Sequence, residues 1–532
     1  MARGNKIKKF ATIDCETNPF EFEAVIKPFI WGYYDETGFS VFYDTAEFVE
    51  FIKTQDRIIY AHNGGKFDFH FLLDHIPPQD NVMVINGRIA KIKIGEAELR
   101  DSYLLLPVPL SAYQKDEIDY NIFREELRDK GDNPSLIKTY LFGDCKYLYD
   151  ILQMQFDIYG QKLTLASSAF DFWHKNFSPL KNKPKTSERF FEEFKPFYYG
   201  GRVECFEKGV IEKEFTAHDI NSAYPWAMQF EHPIGDEYKF SRKLPDNFDL
   251  SFIDLVAESR GAFPYRCPET KRLIFPNDGE LRRFKVTSWE LKKALELFPD
   301  FKIDKIYECF QFLNSINFKD YVDHFYNEKS LHKEGDAAKY LLAKLYMNSL
   351  YGKFGQSPID HREYSLINPW EIEEYKNDNF AFEGILGGNA LMSCPIAKHK
   401  KRFFNVATAA SVTGAVRAYL FEHINNATGV LYCDTDSIAA EKFNGSIGAE
   451  LGQWDCEGEF TRAAIGGKKL YAFERKIPKK GNKFKISSKG AKLTEKEIFS
   501  IASGNEVCYN SIAPTFSINK APVYITRNIR LT

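Results

Sequence analysis

The sequence predicts a large multidomain chain of α/β and α+β class, and three observations carry that expectation. Its 532 residues, 44% hydrophobic and 16% aromatic, supply enough apolar surface for several cores and two or more domains. Strand-like and helix-like segments alternate to about residue 160, which is α/β character. Beyond them lie an Ala- and Leu-rich helical run and, further on, a strand-turn-strand.

Taken in order, Phe10-Ala-Thr-Ile-Asp-Cys-Glu16 and Arg57-Ile-Ile-Tyr-Ala-His62 read as strands. Around 175 to 200 the chain turns polar and rich in Pro and Lys, as in Phe177-Ser-Pro-Leu-Lys-Asn-Lys-Pro-Lys185, which predicts an interdomain connection. Residues 337 to 351 form the clearest helix, stopped by Gly352. Residues 356 to 402 lack clean periodicity and carry Gly384, Gly387 and Gly388, so an inserted hairpin or loop outside the core is expected. Val430-Leu431-Tyr432 and Ile438-Ala439-Ala440 flank a turn with strand character. No internal repeat or low-complexity tract is present, which sets aside solenoids and disorder.

A net charge of −3 does not by itself suggest a nucleic-acid partner, so the distribution decides. From Lys468 to Lys492 ten Lys or Arg residues face one acid, Glu474, with Tyr471, Phe473 and Phe484 interleaved, and a second cluster runs from Lys398 to Arg402. A solvated face is one reading; a track for a phosphate backbone is the other. The nine cysteines are scattered and never spaced Cys-x-x-Cys, which indicates neither a disulfide framework nor a zinc or iron-sulfur site and fits a reducing compartment. The basic start lacks an apolar leader segment and no run is long enough to span a bilayer, so a cytoplasmic protein without membrane contact is expected.

Acidic residues gather in two groups. Asp14 and Glu16 lie two apart on a strand and share one face of the sheet; Asp68 follows Asn63-Gly-Gly-Lys-Phe67, and Asp144 closes Tyr140-Leu-Phe-Gly-Asp144. Each alone is an ordinary surface acid, but four acids from three segments can surround two magnesium ions, one activating water and one stabilising a leaving oxygen. In the second group, Tyr432-Cys-Asp434-Thr-Asp436-Ser437 holds two carboxylates one residue apart at a hairpin apex. At ~4 Å and an effective dielectric of 20 their repulsion is roughly 4 kcal/mol, which a divalent cation relieves, as does solvent at an exposed turn. Asp219-Ile-Asn-Ser-Ala-Tyr224-Pro225 supplies a third carboxylate. On the predicted helix Lys344, Asn348 and Tyr351 are spaced i, i+4, i+7, so a cation, an amide and a phenol share one face that suits a triphosphate with a base or sugar.

The first group, in this order and with these companions, resembles the three motifs of the DEDDy 3′→5′ exonuclease domain, which has an RNase H-like fold. The resemblance implies that Asp14, Glu16, Asp68 and Asp144 are metal ligands or their close supports and that Tyr140 orients the attacking water. It also implies that Thr17, Asn63, Phe67 and Ser102 grip the frayed primer strand, although Tyr103 stands where the motif usually has Leu. Lys115 sits where protein-primed members carry a catalytic lysine.

The second group resembles family B DNA polymerases: Asp-x-x-Ser-Leu-Tyr-Pro appears with Ala223 replacing Leu, and Lys-x-x-x-Asn-Ser-x-Tyr-Gly and Tyr-x-Asp-Thr-Asp-Ser are intact. By that resemblance Asp219 and Asp436 are the principal metal ligands, the Ile220 carbonyl assists and Asp434 supports them. Lys344, Asn348 and Tyr351 face the incoming nucleotide, and Tyr224 lies beneath its sugar and excludes a 2′-hydroxyl. Tyr198, Gly200 and Gly201 of a Tyr-x-Gly-Gly motif, with Lys469 and Tyr471 of a Lys-x-Tyr motif, hold DNA. Tyr340 replaces a lysine two turns before Asn348, leaving Lys333 as the candidate for a second phosphate contact.

Long segments between Asp219 and Lys344 and between Asn348 and Asp434 resemble the two insertions of protein-primed members. The implied order is an RNase H-like exonuclease domain at 1–165 and then a right-hand polymerase. Its parts are palm at 166–235, an insertion resembling terminal protein region 1 at 236–330, fingers at 331–355, an insertion resembling terminal protein region 2 at 356–402, palm at 403–490 and thumb at 491–532. Expected cofactors are two Mg²⁺ per active site, with Mn²⁺ able to substitute. Expected partners are primer-template DNA, dNTPs and a priming terminal protein, around a monomer in the host cytoplasm if the protein is viral. A nucleic-acid-primed polymerase of the same fold and an inert DNA-binding relic are the alternatives.

Overall fold

Two large sheets organise the chain in the computed structural model, which describes residues 7–479, 481–488, 490–518 and 520–532. Lys480 and Lys489 of the basic stretch lie outside the described residues. The first sheet has ten strands, in the order Ala381–Leu386, Asn389–Pro395, Arg362–Ile367, Gln79–Ile85, Arg88–Ile94, Ala97–Asp101, Ile58–Ala61, Phe10–Thr17, Pro28–Asp35 and Gly38–Phe42. Phe10–Thr17 runs parallel to Ile58–Ala61, and that strand parallel to Ala97–Asp101. Phe10–Thr17 and Ile58–Ala61 are buried almost without interruption, as central strands covered on both faces are. The long helix Asn133–Tyr159 packs across the Phe10–Thr17 and Pro28–Asp35 strands, with Leu141, Cys145, Leu148 and Leu152 buried.

Three strands of this sheet come from residues 356–402, joined through Tyr364 opposite Val82. The expected hairpin is present as Ala381–Leu386 against Asn389–Pro395. The expectation that it stays outside the core is corrected: Leu366, Leu386 and Leu391 are buried in the same cluster as Ile13, Ile59 and Leu99, because the sheet edge they cover would otherwise leave apolar faces wet.

The second sheet runs Asn482–Ser488, Leu470–Lys479, Trp454–Gly467, Phe215–Ile220, Ser437–Lys442, Thr428–Asp434 and Val203–Cys205, with Gly209–Ile211 paired beside Trp454–Gly467. Helix Val406–Asn426 is buried nearly all round. Between the two acid-bearing segments of this sheet, four antiparallel strands (Tyr238–Ser241, Ile303–Phe312, Ser251–Glu258 and Leu281–Thr287) form a separate layer.

Helices Lys319–Leu331 and Ala337–Phe354 pack as a pair. The second helix continues through Gly352 and is capped at Gly355. Gly352 has nothing near the place of a Cβ, whereas a Cβ on Gly355 would lie 2.5 Å from the Tyr198 ring. Helix Leu165–Asn176 packs against Ala337–Phe354. The expected connection at 175 to 200 is shorter than the composition suggests, since Phe190, Phe191, Phe194 and Phe197 are core residues.

Past residue 491, helix Glu495–Ala502 rests on the Trp454–Gly467 and Leu470–Lys479 strands. The Val507–Asn510 and Thr526–Ile529 pair and the Thr515–Ser517 and Lys520–Val523 pair follow. Phe516 sits among Phe67, His70 and Phe71, and Lys520–Val523 touches Ala381–Leu386. Among the described residues no helix is long and apolar enough to cross a membrane.

Candidate active sites

Each large sheet carries one acid cluster. In the first, Asp14 and Glu16 leave the same face of the Phe10–Thr17 strand and meet Asp144 from the long helix, with one carboxylate oxygen of each within 4.8 Å of the others. Among the described residues this is the only such group of three. Asp68 stands just outside it, but its charge acts on Asp14. Burial, then Glu16, pushes Asp14 well up; burial, then Asp144, pushes Glu16 to about 8; and burial pushes Asp68 to about 7. Glu16 Oε1, Asp68 Oδ1 and Asp144 Oδ1 are buried with no hydrogen-bond partner. Orphaned acceptors on mutually repelling acids are the electrostatic conditions that a divalent cation satisfies.

Lys115 Nζ reaches Asp144 at 3.0 Å and lies 5.1 Å over the Tyr140 ring. The Tyr140 hydroxyl lies 2.9 Å from the Tyr120 hydroxyl and helps hold the Asp144 carboxyl down against burial. Tyr120 is a partner that sequence reasoning missed. Asn63 has φ 64°, and a Cβ on Gly65 would lie 2.0 Å from the Ile89 carbonyl, which accounts for Asn-Gly-Gly at this turn. Phe67 packs with Phe20 and Phe71. Thr17, just after Glu16, sits where the pairing register shifts. Ser102 is fully buried, its hydroxyl donating to the Ala61 carbonyl at 3.2 Å and lying 3.2 Å from His62 Nδ1. It therefore holds His62.

In the second sheet Asp219 stands opposite Ser437 across paired strands, and the Ile220 amide donates to the Asp436 carbonyl at 2.8 Å. This places Asp219 and Asp436 side by side. Burial, then Asp436, lifts Asp219 to about 7; burial, then Asp434, lifts Asp436 to about 6. Asp434 is bound by Lys469 Nζ at 2.7 and 2.9 Å, so a lysine neutralises part of the repulsion expected at the apex. Tyr471 is largely buried, stacked on Phe473 at 4.4 Å and 5.0 Å from Tyr432. Glu457, ion-paired to Lys485, adds charge near Asp219 and Asp436; neither residue is marked by a motif.

Thr435, with φ 62°, donates its amide to the Arg202 carbonyl at 2.6 Å. A Cβ on Gly201 would lie 2.8 Å from its methyl group, so Tyr-x-Gly-Gly and Asp-Thr-Asp touch. Arg417 clamps the same segment, donating to the carbonyls of Tyr199 at 2.7 Å and Gly200 at 3.0 Å while paired with Glu290 at 2.7 Å. Arg417 and Glu290 are each 1% exposed. A lone arginine in an apolar helix is the signal that could have revealed this pair.

On Ala337–Phe354, Lys344 and Asn348 are exposed and Tyr351 is half-buried. Tyr351 stacks on Tyr224 with centroids 4.6 Å apart and planes 8° from parallel. From the paired helix, Lys329 is held below the usual lysine range by burial and by the charges of Lys344 and Lys333, so a second lysine beside Lys344 comes from the helix that precedes it.

The sequence family described as "DNA polymerase type B, organellar and viral" matches residues 107–385. The "DNA-directed DNA polymerase" of Enterobacteria phage PRD1 is 33% identical, with 98% of each chain covered. The "DNA polymerase" of Bacillus phage Nf is 25% identical over 88% of each. Phi29 DNA polymerase complexed with primer-template DNA is similar in fold, with a TM-score of 0.74, 20% identity, and coverage of 98% of this chain and 100% of that one.

Proposed function

The chain belongs to the organellar and viral type B DNA polymerases, and we propose that this DNA-directed DNA polymerase copies a linear genome from a protein primer and edits its product with a 3′→5′ exonuclease. The observation that carries the polymerase site is the adjacency of Asp219 and Asp436 on paired strands. Mg²⁺, two at each centre with Mn²⁺ able to substitute, would be held by Asp219, the Ile220 carbonyl and Asp436 in the palm and by Asp14, Glu16, Asp68 and Asp144 in the exonuclease, and when bound supplies Lewis-acid stabilisation of the phosphoryl charge.

The side chains around the palm acids do the positioning. Lys344 binds the triphosphate as a point charge, with Lys329 as a second cation. The stacked Tyr224 and Tyr351 form a floor for the sugar and base, where a 2′-hydroxyl would meet the ring. Lys469, held by Asp434, faces the primer terminus. Gly201, Tyr198 and the Arg417 clamp keep the backbone close to DNA. The primer hydroxyl then attacks the α-phosphate and pyrophosphate leaves, with the oxygens kept in line by these contacts.

In the exonuclease centre, Tyr140, fixed by Tyr120 and Asp144, orients the attacking water, and Lys115 steadies Asp144. Thr17, Asn63 and Phe67 flank the strand, and Ser102 acts through His62. Protein priming is supported by the two insertions. The four-stranded layer within 236–330 is where a terminal protein would dock, and the 356–402 strands meet the Lys520–Val523 strand, an arrangement suited to enclosing duplex and displacing a strand.

The test separates the centres. Asp436→Asn should abolish extension of primed DNA and spare degradation of single strands, and Asp14→Ala with Asp68→Ala should do the reverse. Loss of both activities in either variant would refute the two-site assignment. With dNTPs, Mg²⁺ and a candidate terminal protein, a protein-linked nucleotide is expected; extension of primed DNA without one would leave a nucleic-acid-primed enzyme.

A further inference from the structure

The exonuclease cavity, about 450 Å³, is lined by Asp14 and Asp144 and also by Arg88, Tyr103 and His62. Tyr103 stands where the motif usually carries Leu, and its surroundings are built around an aromatic ring. The Arg88 guanidinium carbon lies 4.6 Å over the ring centroid, and His62 packs at 5.8 Å. Both arms of the Arg88 and Tyr103 pair are fixed by one fully buried carboxylate. Asp101 accepts from Arg88 Nη1 and, at 2.9 Å, from the Tyr103 amide. His62 is fixed in turn by Ser102 and by the Val108 carbonyl at 2.9 Å.

A guanidinium held in this way is planar, permanently charged and already desolvated on one side by the ring beneath it. Arg88 is 11% exposed and lines the cavity, so the face it turns to the cavity is a surface on which a nucleobase of any sequence can stack, while its charge favours the neighbouring phosphate. An apolar Leu at position 103 would offer the arginine no such seat.

Resting on the exonuclease reading above, we propose that Arg88, laid on Tyr103, is the platform that stacks the base next to the terminal nucleotide during 3′→5′ degradation. The pair thereby sets the preference for strands over single nucleotides. Arg88 and Tyr103 are positioning residues, remote in role from the acids that surround the scissile phosphate.

The experiment compares wild type, Tyr103→Leu and Arg88→Lys on a single-stranded oligothymidylate and on the p-nitrophenyl ester of thymidine 5′-monophosphate, which has no second base. Lysine retains the charge and a donor for Asp101 but lacks the plane. Both variants should raise KM for the oligonucleotide about tenfold, leave its kcat within about twofold, and hydrolyse the ester with unchanged kcat/KM. An unchanged KM on the oligonucleotide in both variants overturns the platform. Parallel losses on both substrates overturn it as well, because they mark the pair as a support of the acid cluster. A wild-type protein that extends primed DNA but degrades neither substrate would refute the exonuclease reading itself, an outcome distinct from both.

Discussion

In protein stripped of divalent cations, replacing Glu16 by Gln should stabilise the fold while ending exonuclease activity. Burial, then the charge of Asp144, moves the Glu16 carboxyl from 4.5 to about 8, with Lys115 opposing. Folding therefore favours the protonated acid. The folded state binds the extra proton, so the stability contributed is complete below the unfolded value near 4.5 and is lost as pH rises through about 8. At 1.36 kcal/mol per pH unit the whole span is worth roughly 5 kcal/mol for an isolated group. Because the proton is shared with Asp14, Asp68 and Asp144, about half of that, ~2 kcal/mol, is expected for Glu16→Gln at pH 8. In chelator, at ~2–4 °C per kcal/mol for a unit of 150–250 residues, the first thermal transition should rise by about 4–8 °C at pH 8. The gain should shrink toward zero as the pH approaches that of ordinary glutamate. Millimolar Mg²⁺ should reverse the order, raising the wild-type transition more than the variant's. A variant less stable than wild type in chelator at pH 8, or one that gains as much from Mg²⁺, would refute the view that these acids are held in mutual repulsion.

Two further outcomes concern the palm. Arg417→Met leaves Glu290 buried without its partner, which should cost ~3–5 kcal/mol in chemical denaturation. Adding Glu290→Gln, which removes the unpaired charge and keeps an oxygen for the Thr287 cap, should recover part of the stability but not primer-template affinity in a mobility-shift assay, because the carbonyls of Tyr199 and Gly200 still lack their donor. Gly201→Ala places a methyl group 2.8 Å from that of Thr435. Extension should fall at least about tenfold, a loss of ~1.4 kcal/mol in transition-state binding, with degradation of single strands unchanged, and Thr435→Ser in the same chain should restore part of the loss.

Much of the grouping at both candidate sites is legible in the sequence because it depends on neighbours a few positions apart. Two acids on one strand face, a carboxylate pair at a hairpin apex and a Lys, Asn and Tyr along one helix face need no knowledge of the rest of the chain, and the structure brings each set together. What is not legible depends on contacts between distant segments. The 356–402 strands join the amino-terminal sheet through a register between Tyr364 and Val82, which no local periodicity encodes. Gly352 reads as a helix stop, yet Gly355 is the position where an added Cβ would meet the Tyr198 ring at 2.5 Å. Asp434 reads as a carboxylate awaiting a cation, and Lys469 supplies a charge from the turn between Trp454–Gly467 and Leu470–Lys479. Arg417 shows how part of this gap can be closed. A helix buried on every side cannot hold a guanidinium without a carboxylate, since breaking such a pair costs several kcal/mol. The partner must therefore be an acid on another buried element. Glu290, in the first turn of a helix whose Thr287 cap it also completes, meets both conditions, because the same carboxylate closes the capping box with one oxygen and the ion pair with the other.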